Sequence, residues 1–84
     1  MAEKLIGEVT HYYSKLGVAI VKLKTGLKVG DKIKFKSHEG DLFEQTVQQM
    51  QYNHKDIQSA KAKQDIGIRV DQKVHDGNEV YLVE

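Results

Sequence analysis

The residues with the clearest chemical potential in this 84-residue chain are cations spaced two apart. Three lysines follow that spacing in one segment, two more do so in the segment before it, and a lone arginine lies further on: Lys22, Lys24, Lys32, Lys34, Lys36 and Arg69. In an extended strand, residues two apart point to the same face. We therefore predict from these six residues an RNA-binding surface, with the lysines of the two segments close together and an affinity that falls as salt rises.

The charge distribution supports this prediction without deciding it. Residues 15–36 carry seven lysines and one acid, a net charge of +6, whereas residues 37–84 carry five cations and nine acids, a net charge of −4. With −1 from the first 14 residues, the overall charge is only +1. Such polarity is typical of a chain that presents a basic strip to an anionic partner. A simpler interpretation stays open, since lysines also solvate exposed strands and prevent edge-to-edge aggregation.

Other chemistry finds little support in the sequence. The chain has no cysteine, and its four histidines are too scattered for any metal-binding spacing: His11, His38, His54 and His75. The sequence lacks the G-x-x-x-x-G-K-[ST] loop of nucleotide hydrolases, and no serine lies in a nucleophile elbow. We therefore predict no catalytic residues, no metal, no cofactor and no nucleotide, and we do not expect an enzyme.

The elements that position the lysines are predicted to be strands. Ile33 and Phe35 alternate with the lysines around them, which is the period of a half-buried strand. Six such segments are separated by polar or glycine turns: residues 5–13, 18–24, 31–36, 42–52, 66–70 and 80–83. A small open sheet would leave long unpaired edges. We therefore predict an all-β chain, a single domain over residues 1–84 that forms a small closed six-stranded antiparallel barrel.

Two segments need a more specific prediction. Val47 and Met50 share the interior only if the long fourth segment contains a bulge or bends round a corner of the barrel. Residues 53–64 have some helix propensity between Asp56 and Lys63. We prefer a structured loop there, with Ile57 and Ala60 closing one end. The predicted core leaves little room for a small ligand and contains Val21, Leu23, Ile33, Phe35, Ile66 and Ile68.

Several short motifs resemble one known family. Gly26-Leu27-Lys28-Val29-Gly30-Asp31-Lys32-Ile33, the stretch from Val47 to Val70, and Gly77-Asn78-Glu79-Val80 occur in the order and spacing of the second domain of translational GTPases. That domain is the β-barrel of elongation factor Tu and elongation factor 1 alpha, and the chain is similar to the small translation elongation factor-like proteins. One departure is Lys63-Gln64, where the family has Gly-Asp, so we expect a different turn there.

The resemblance implies a non-catalytic binding module for translation. Its partner would be RNA, at the tRNA acceptor end or the ribosome, or a protein of the translation machinery. The resemblance also gives His54 a structural place in a loop. From the residues themselves, which include neither a signal-peptide run nor a membrane-length apolar stretch, we expect a cytoplasmic location, no membrane and no nucleotide. We also expect a monomer or weak homodimer, and the start at Met1 favours a complete protein.

A second class of function remains open. The same barrel occurs as an accessory domain, as in the C-terminal domain of U32 peptidase-like proteins, where it is not the catalytic unit. The alternative to a translation module is therefore a protein–protein interaction domain, able to self-associate, that binds no nucleic acid.

Overall fold

The computed structural model describes residues 3–53 and 55–83, so Met1, Ala2, His54 and Glu84 lie outside the described part of the chain. The structural place predicted for His54 and both ends of the predicted domain therefore fall on residues that are not described. The described residues form ten strands and no helix: β1 (Glu3–Tyr13), β2 (Val18–Leu23), β3 (Leu27–Lys28), β4 (Lys32–Ser37), β5 (Gly40–Thr46), β6 (Met50–Tyr52), β7 (Lys55–Ile57), β8 (Ser59–Ala60), β9 (Asp65–Arg69) and β10 (Glu79–Val83).

The strands form one large sheet and one small one. The large sheet has eight strands in the order β5-β4-β10-β1-β2-β9-β6-β7, and β3 pairs with β8 separately. All of these pairings are antiparallel. The prediction of an all-β chain is confirmed.

The alternation of apolar and polar residues decides which face of each strand is buried. In β4, Ile33 and Phe35 are fully buried, whereas the lysines that alternate with them face outward. The same alternation buries Ile66 and Ile68 in β9. The predicted core residues are all at most 1% exposed, as predicted: Val21, Leu23, Ile33, Phe35, Ile66 and Ile68.

The long fourth segment breaks where the sequence predicted a bend. β5 ends at Thr46 and β6 begins at Met50, and both Val47 and Met50 are buried. The backbone of Val47 leaves the β5 ladder to bond the preceding loop: its N–H donates to the Asp31 carbonyl at 2.8 Å, and its carbonyl accepts from Gly30 N–H at 2.8 Å. The chain then turns so that β6 pairs with β9 instead of β4.

The segment after β6 is extended, not helical. It holds β7 and β8, with Ile57 half-buried and Ala60 buried against the core. Ala60 pairs with Leu27 of β3, which gives this loop its own short ladder. The sequence predicted six strands. The described residues form ten, because the fourth segment divides into β5 and β6, and because β3, β7 and β8 form in segments predicted as connections.

The turn at Lys63 keeps a glycine-like backbone without a glycine. Lys63 has φ +70°, in the left-handed region that costs a non-glycine residue about 1–2 kcal/mol. The turn is held by the Gln64 side-chain oxygen, which accepts from Lys61 N–H at 2.9 Å, and by Lys63 N–H, which donates to the Leu23 carbonyl at 2.9 Å. The departure from Gly-Asp therefore places a lysine in a conformation that glycine adopts freely.

The two edges of the large sheet, β5 and β7, do not pair with each other in the described residues. One side chain links β5 to the backbone at the end of β9. The buried Gln45 of β5 donates from Nε2 to the Arg69 carbonyl at 2.8 Å and accepts from Asp71 N–H at 2.9 Å. Because this bridge is not a strand ladder, the closed barrel stays a prediction.

Residues 3–53 and 55–83 contain no helix of the length and apolarity that a membrane crossing requires.

Candidate functional site

The six cations predicted to bind RNA do not form one surface. Lys32, Lys34 and Lys36 lie on β4, whereas Lys22 lies on β2 and Lys24 directly after it. β10 and β1 separate these two strands in the sheet, a distance of roughly 14 Å at the usual strand spacing. The prediction that the lysine pairs lie close together is therefore wrong. The chain passes through β3 of the small sheet before it enters β4, so strands adjacent in sequence are not neighbours in space.

The three β4 lysines are paired with carboxylates from β1 and β5, and we call this group the β4 ion-pair cluster: Glu3, Lys32, Lys34, Lys36, Asp41 and Glu44. Lys34 is the centre, with its side chain only 13% exposed. It pairs with Glu3, with Asp41 at 3.2 Å and with Glu44 at 3.4 Å. Lys36 bonds the other Glu3 oxygen at 2.6 Å, and Lys32 bonds Glu44 at 3.2 Å.

These pairings change the acid–base behaviour of the cluster. Hydrogen bonds from Lys34 and Lys36 lower the pKa of Glu3 to about 2. The hydrogen bond to Glu3 raises the pKa of Lys34, and the bond from Lys32 lowers the pKa of Glu44. Three lysines and three carboxylates leave no net charge, so a phosphate would have to displace a carboxylate to bind here. RNA binding through these residues stays a prediction.

Lys22 and Lys24 are exposed and line a separate concavity of about 370 Å³ with Glu8, Leu23 and Lys63. No ion pair within 4 Å is formed by either lysine among the described residues. RNA binding by this pair likewise stays a prediction.

Arg69, the sixth predicted cation, lies on a different surface again, at the end of β9. The outer faces of β2, β9 and β6 lie side by side there, with Ile20 opposite Gly67, Gly67 opposite Gln51, and Val18 opposite Arg69. Two adjoining depressions of about 210 Å³ and 310 Å³ follow this face. We call this face the Gly67 groove, and it is lined by Tyr13, Leu16, Val18, Ile20, Gln49, Gln51, Asn53, Asp65, Gly67 and Arg69.

The missing side chain of Gly67 makes the floor of the groove. A Cβ atom at this position would lie 3.2 Å from Val18 Cγ1 and 3.6 Å from Ile20 Cδ1. The walls nearest the floor are therefore aliphatic. The backbone of Gly67 does not have a positive φ, so its role here is to leave space, not to allow an unusual conformation.

One end of the groove exposes large apolar side chains. Leu16 is 66% exposed and Tyr13, which pairs with Val18 across β1 and β2, is 46% exposed. Only two further large apolar residues of the described chain are exposed, Leu42 and Tyr52. Exposed apolar surface that is grouped with a concavity marks an interaction site more often than scattered residues do.

The opposite side of the groove is polar and ordered. Asp56 of β7 accepts hydrogen bonds from the side-chain amides of Gln51 at 3.1 Å and Gln49 at 3.3 Å, which lower its pKa. Because Asp56 fixes the orientation of both side-chain amides, their oxygens can accept a hydrogen bond from a ligand. The groove thus combines an aliphatic floor and fixed acceptors on one side with two charged groups of β9, the Arg69 guanidinium on one side of Gly67 and the Asp65 carboxylate on the other.

Sequence reasoning found Arg69 but missed the groove. The available signal was an apolar residue, Ile20, on the outward register of β2, together with a glycine between the buried Ile66 and Ile68. Neither points to a surface until β2 and β9 are known to be neighbours. Metal chemistry has no counterpart in the described residues, where no three histidine or acidic side chains are grouped to hold an ion.

Comparison with known proteins identifies the chain. Residues 2–78 match the family model for the peptidase family U32 C-terminal domain. The chain belongs to this family. It is 37% identical over 79 residues to an uncharacterized protease of Methanocaldococcus jannaschii, a match that covers 94% of this chain and 19% of that protein. The chain therefore spans about a fifth of the length of this relative.

Solved structures give the same fold. The C-terminal domain of a Geobacillus thermoleovorans protein assigned to the U32 peptidases superposes with a TM-score of 0.88 at 19% identity, covering 96% of this chain and 93% of that one. Its selenomethionine variant gives a TM-score of 0.85 at 20% identity, covering 92% and 96%. At this level of identity, the likeness establishes the fold alone.

These findings correct the resemblance to elongation factors and the role in translation that it implied. The motifs that carried it are core and turn residues: Val47, Met50 and Ile66 are buried, and Gly77 adopts φ +87° in a turn. Such residues specify packing and turn geometry, which unrelated functions share. The alternative drawn from the sequence, a domain of a U32 peptidase-like protein, is the one that the comparisons support.

Proposed function

We propose that this chain is a non-catalytic accessory domain that binds protein, and that its partner is the larger part of a U32 peptidase-family protein. The observation that carries the proposal is the Gly67 groove, an apolar concavity on an outer sheet face with exposed Leu16 and Tyr13 at one end. Family membership supplies the partner, since the matched segment is 19% of a protein named as a protease.

The two faces of the domain suit different purposes. The β4 ion-pair cluster is balanced within the chain, so a partner gains little by covering it and would have to compensate each displaced pair. The floor of the Gly67 groove costs little to desolvate because it is aliphatic. Burial of apolar surface is the main favourable term in protein association. We therefore place the partner on β2, β9 and β6.

Closure of the large sheet into a barrel would hold the groove residues on a rigid surface. The chain passes directly from β5 at one end of the large sheet to β6, which pairs with β9 near the other end. Gln45 adds two hydrogen bonds to the backbone at Arg69 and Asp71. We infer that the long bent segment from β5 to β6 closes the barrel, which would fix the groove residues relative to one another.

Isothermal titration calorimetry between this chain and the Methanocaldococcus jannaschii relative, shortened by the 79 matched residues, tests the proposal. We expect saturable binding of one copy, and the relative's own matched segment should displace this chain. The absence of binding and of competition would overturn the proposed partner. Hydrolysis of a casein substrate by this chain alone would overturn the non-catalytic role.

A further inference from the structure

We propose that the Gly67 groove binds an extended segment of the partner in which a bulky apolar side chain and an acidic side chain are two residues apart. The apolar side chain would fill the depression over Gly67, and the carboxylate would bond Arg69. This inference rests on the proposed protein-binding function and names the chemistry of the segment that the groove recognises.

The apolar position is defined by the missing side chain of Gly67. The depression of about 210 Å³ lies between Val18 and Gln51 and is open to solvent beside Leu16. A leucine side chain placed there would contact the aliphatic atoms of Val18 and Ile20, which lie within 3.2–3.6 Å of the point where a Cβ atom of residue 67 would stand. A glycine at this position keeps the depression open to a side chain from another segment.

The acidic position is defined by charge. Arg69 is the only arginine of the chain, is exposed, and forms no ion pair with any residue of 3–53 or 55–83. The β4 lysines differ from Arg69, because each of them is paired with at least one carboxylate. A guanidinium bonds a carboxylate through two parallel N–H groups, a geometry that fixes the orientation of the bound segment.

The spacing follows from the strand that carries both positions. Gly67 and Arg69 are two residues apart on the outer face of β9, a separation of about 6.6–6.8 Å along the strand. An extended segment lying along β9 repeats its side chains at the same interval. The recognised pattern is therefore apolar-x-acidic or its reverse, and the amide oxygens of Gln49 and Gln51 are placed to accept backbone N–H groups of the segment.

The test is an NMR titration of the ¹⁵N-labelled chain with capped peptides. The probe is acetyl-Thr-Leu-Thr-Asp-Thr-amide, in which the caps remove both terminal charges. We expect saturable shifts of the Gln51, Gly67 and Arg69 amides. Replacing the aspartate by asparagine should weaken binding about tenfold, since one charge-assisted interaction is lost, and replacing the leucine by serine should abolish the shifts at Gly67.

Two variants of the chain sharpen the result. Arg69→Gln should make the aspartate and asparagine peptides bind equally, and Gly67→Ala should weaken both peptides by filling the floor. Leu42→Ser removes an exposed apolar residue of β5 and serves as the matched control without effect. Equal binding of all peptides to the unmodified chain, no saturable shifts, or stronger shifts at these amides with a uridine hexanucleotide would overturn the inference.

The same variants separate this inference from the proposed function. If the shortened relative binds the chain and neither Arg69→Gln nor Gly67→Ala changes its affinity, protein binding stands and the groove is the wrong surface. If the shortened relative does not bind, the proposed partner is wrong, whatever the peptides show.

Discussion

The β4 ion-pair cluster and the Gly67 groove both lie on outer strand faces, but they differ in what they offer a partner. The cluster presents charges that are already paired, whereas the groove presents an open apolar depression. Both lie on the outer faces of strands whose inner faces are fully buried. On β4, each outward lysine meets a carboxylate from β1 or β5, and Lys34 meets three. On β9, the outward residues are a glycine that leaves space and an arginine without an ion pair among the described residues.

This difference shows that the net charge of a sequence segment does not predict the charge of the surface that the segment forms. Residues 15–36 carry a net charge of +6, and yet the three lysines at the end of this stretch belong to a neutral group. Their partners are Glu3, which lies 31 residues before Lys34 in the sequence, and Asp41 and Glu44 across a hairpin. Cross-strand neighbours, rather than neighbours in sequence, decide whether a cation is available to a ligand.

The largest expected effect comes from a core substitution, because unfolding of the domain would destroy the cluster and the groove together. Phe35 is fully buried beneath the β4 cluster and stacks on Phe43 at a centroid distance of 4.8 Å. Phe35→Ala should lower the free energy of unfolding by about 3–5 kcal/mol, measured by urea denaturation, because it leaves a cavity in the core. Leu16→Ser, at a 66% exposed position of the groove, is the control and should change stability little. Equal effects of the two variants would contradict the assignment of core and surface.

A smaller loss is expected where the two regions are joined. Gln45 belongs to β5, beside the cluster, and its two hydrogen bonds hold the backbone at Arg69 and Asp71, beside the groove. Gln45→Ala should cost about 1–3 kcal/mol of unfolding free energy, since it leaves a part-buried carbonyl and a part-buried N–H without their partner. The exposed Gln48 provides the matched variant, Gln48→Ala, which should be nearly neutral. A neutral Gln45→Ala would mean that this bridge does not fix Arg69.

A gain is expected at the turn that leads into β9. Lys63→Gly should raise the free energy of unfolding by about 0.5–1 kcal/mol, because relief of the left-handed backbone outweighs the added freedom of the unfolded chain. Thermal denaturation followed by circular dichroism would measure it. Lys61→Gly, in the same turn at a residue without a positive φ, should be destabilising instead. Destabilisation by both glycines would contradict the backbone described for Lys63.

The smallest effect is expected from acid, and it tests the cluster alone. The pKa of Glu3 is lowered from 4.5 to about 2, so its ion pairs stabilise the folded chain above pH 4.5 and are lost as the pH falls toward 2. Unfolding midpoints measured between these values should fall less steeply with pH in Glu3→Gln than in the unmodified chain. Identical slopes would show that Glu3 has no such pairing in solution.

Much of the fold follows from the sequence because its causes are local. The alternation around Ile33 and Phe35, and around Ile66 and Ile68, determines which faces are buried. The break between Val47 and Met50 was predictable because two apolar residues three apart cannot share one face of a regular strand.

What the sequence does not predict depends on which strands become neighbours. The β3–β8 pairing sends the chain away from β2 before β4 begins, and this detour separates Lys22 from Lys32. The partners of Lys34 and the groove over Gly67 are both consequences of strand order. The family was misjudged for a related reason, since the resemblance rested largely on residues that set packing and turns, such as Val47, Met50 and Gly77.

The central claim is that this domain binds its partner through the groove and not through its lysines. The most direct measurement is calorimetry of the shortened Methanocaldococcus jannaschii relative with two single-site variants, Leu16→Ser in the groove and Lys32→Gln in the cluster, where the side chain is 55% exposed. We expect Leu16→Ser to weaken binding about tenfold and Lys32→Gln to leave it unchanged. The reverse order, with Lys32→Gln weakening binding and Leu16→Ser having no effect, would contradict the claim.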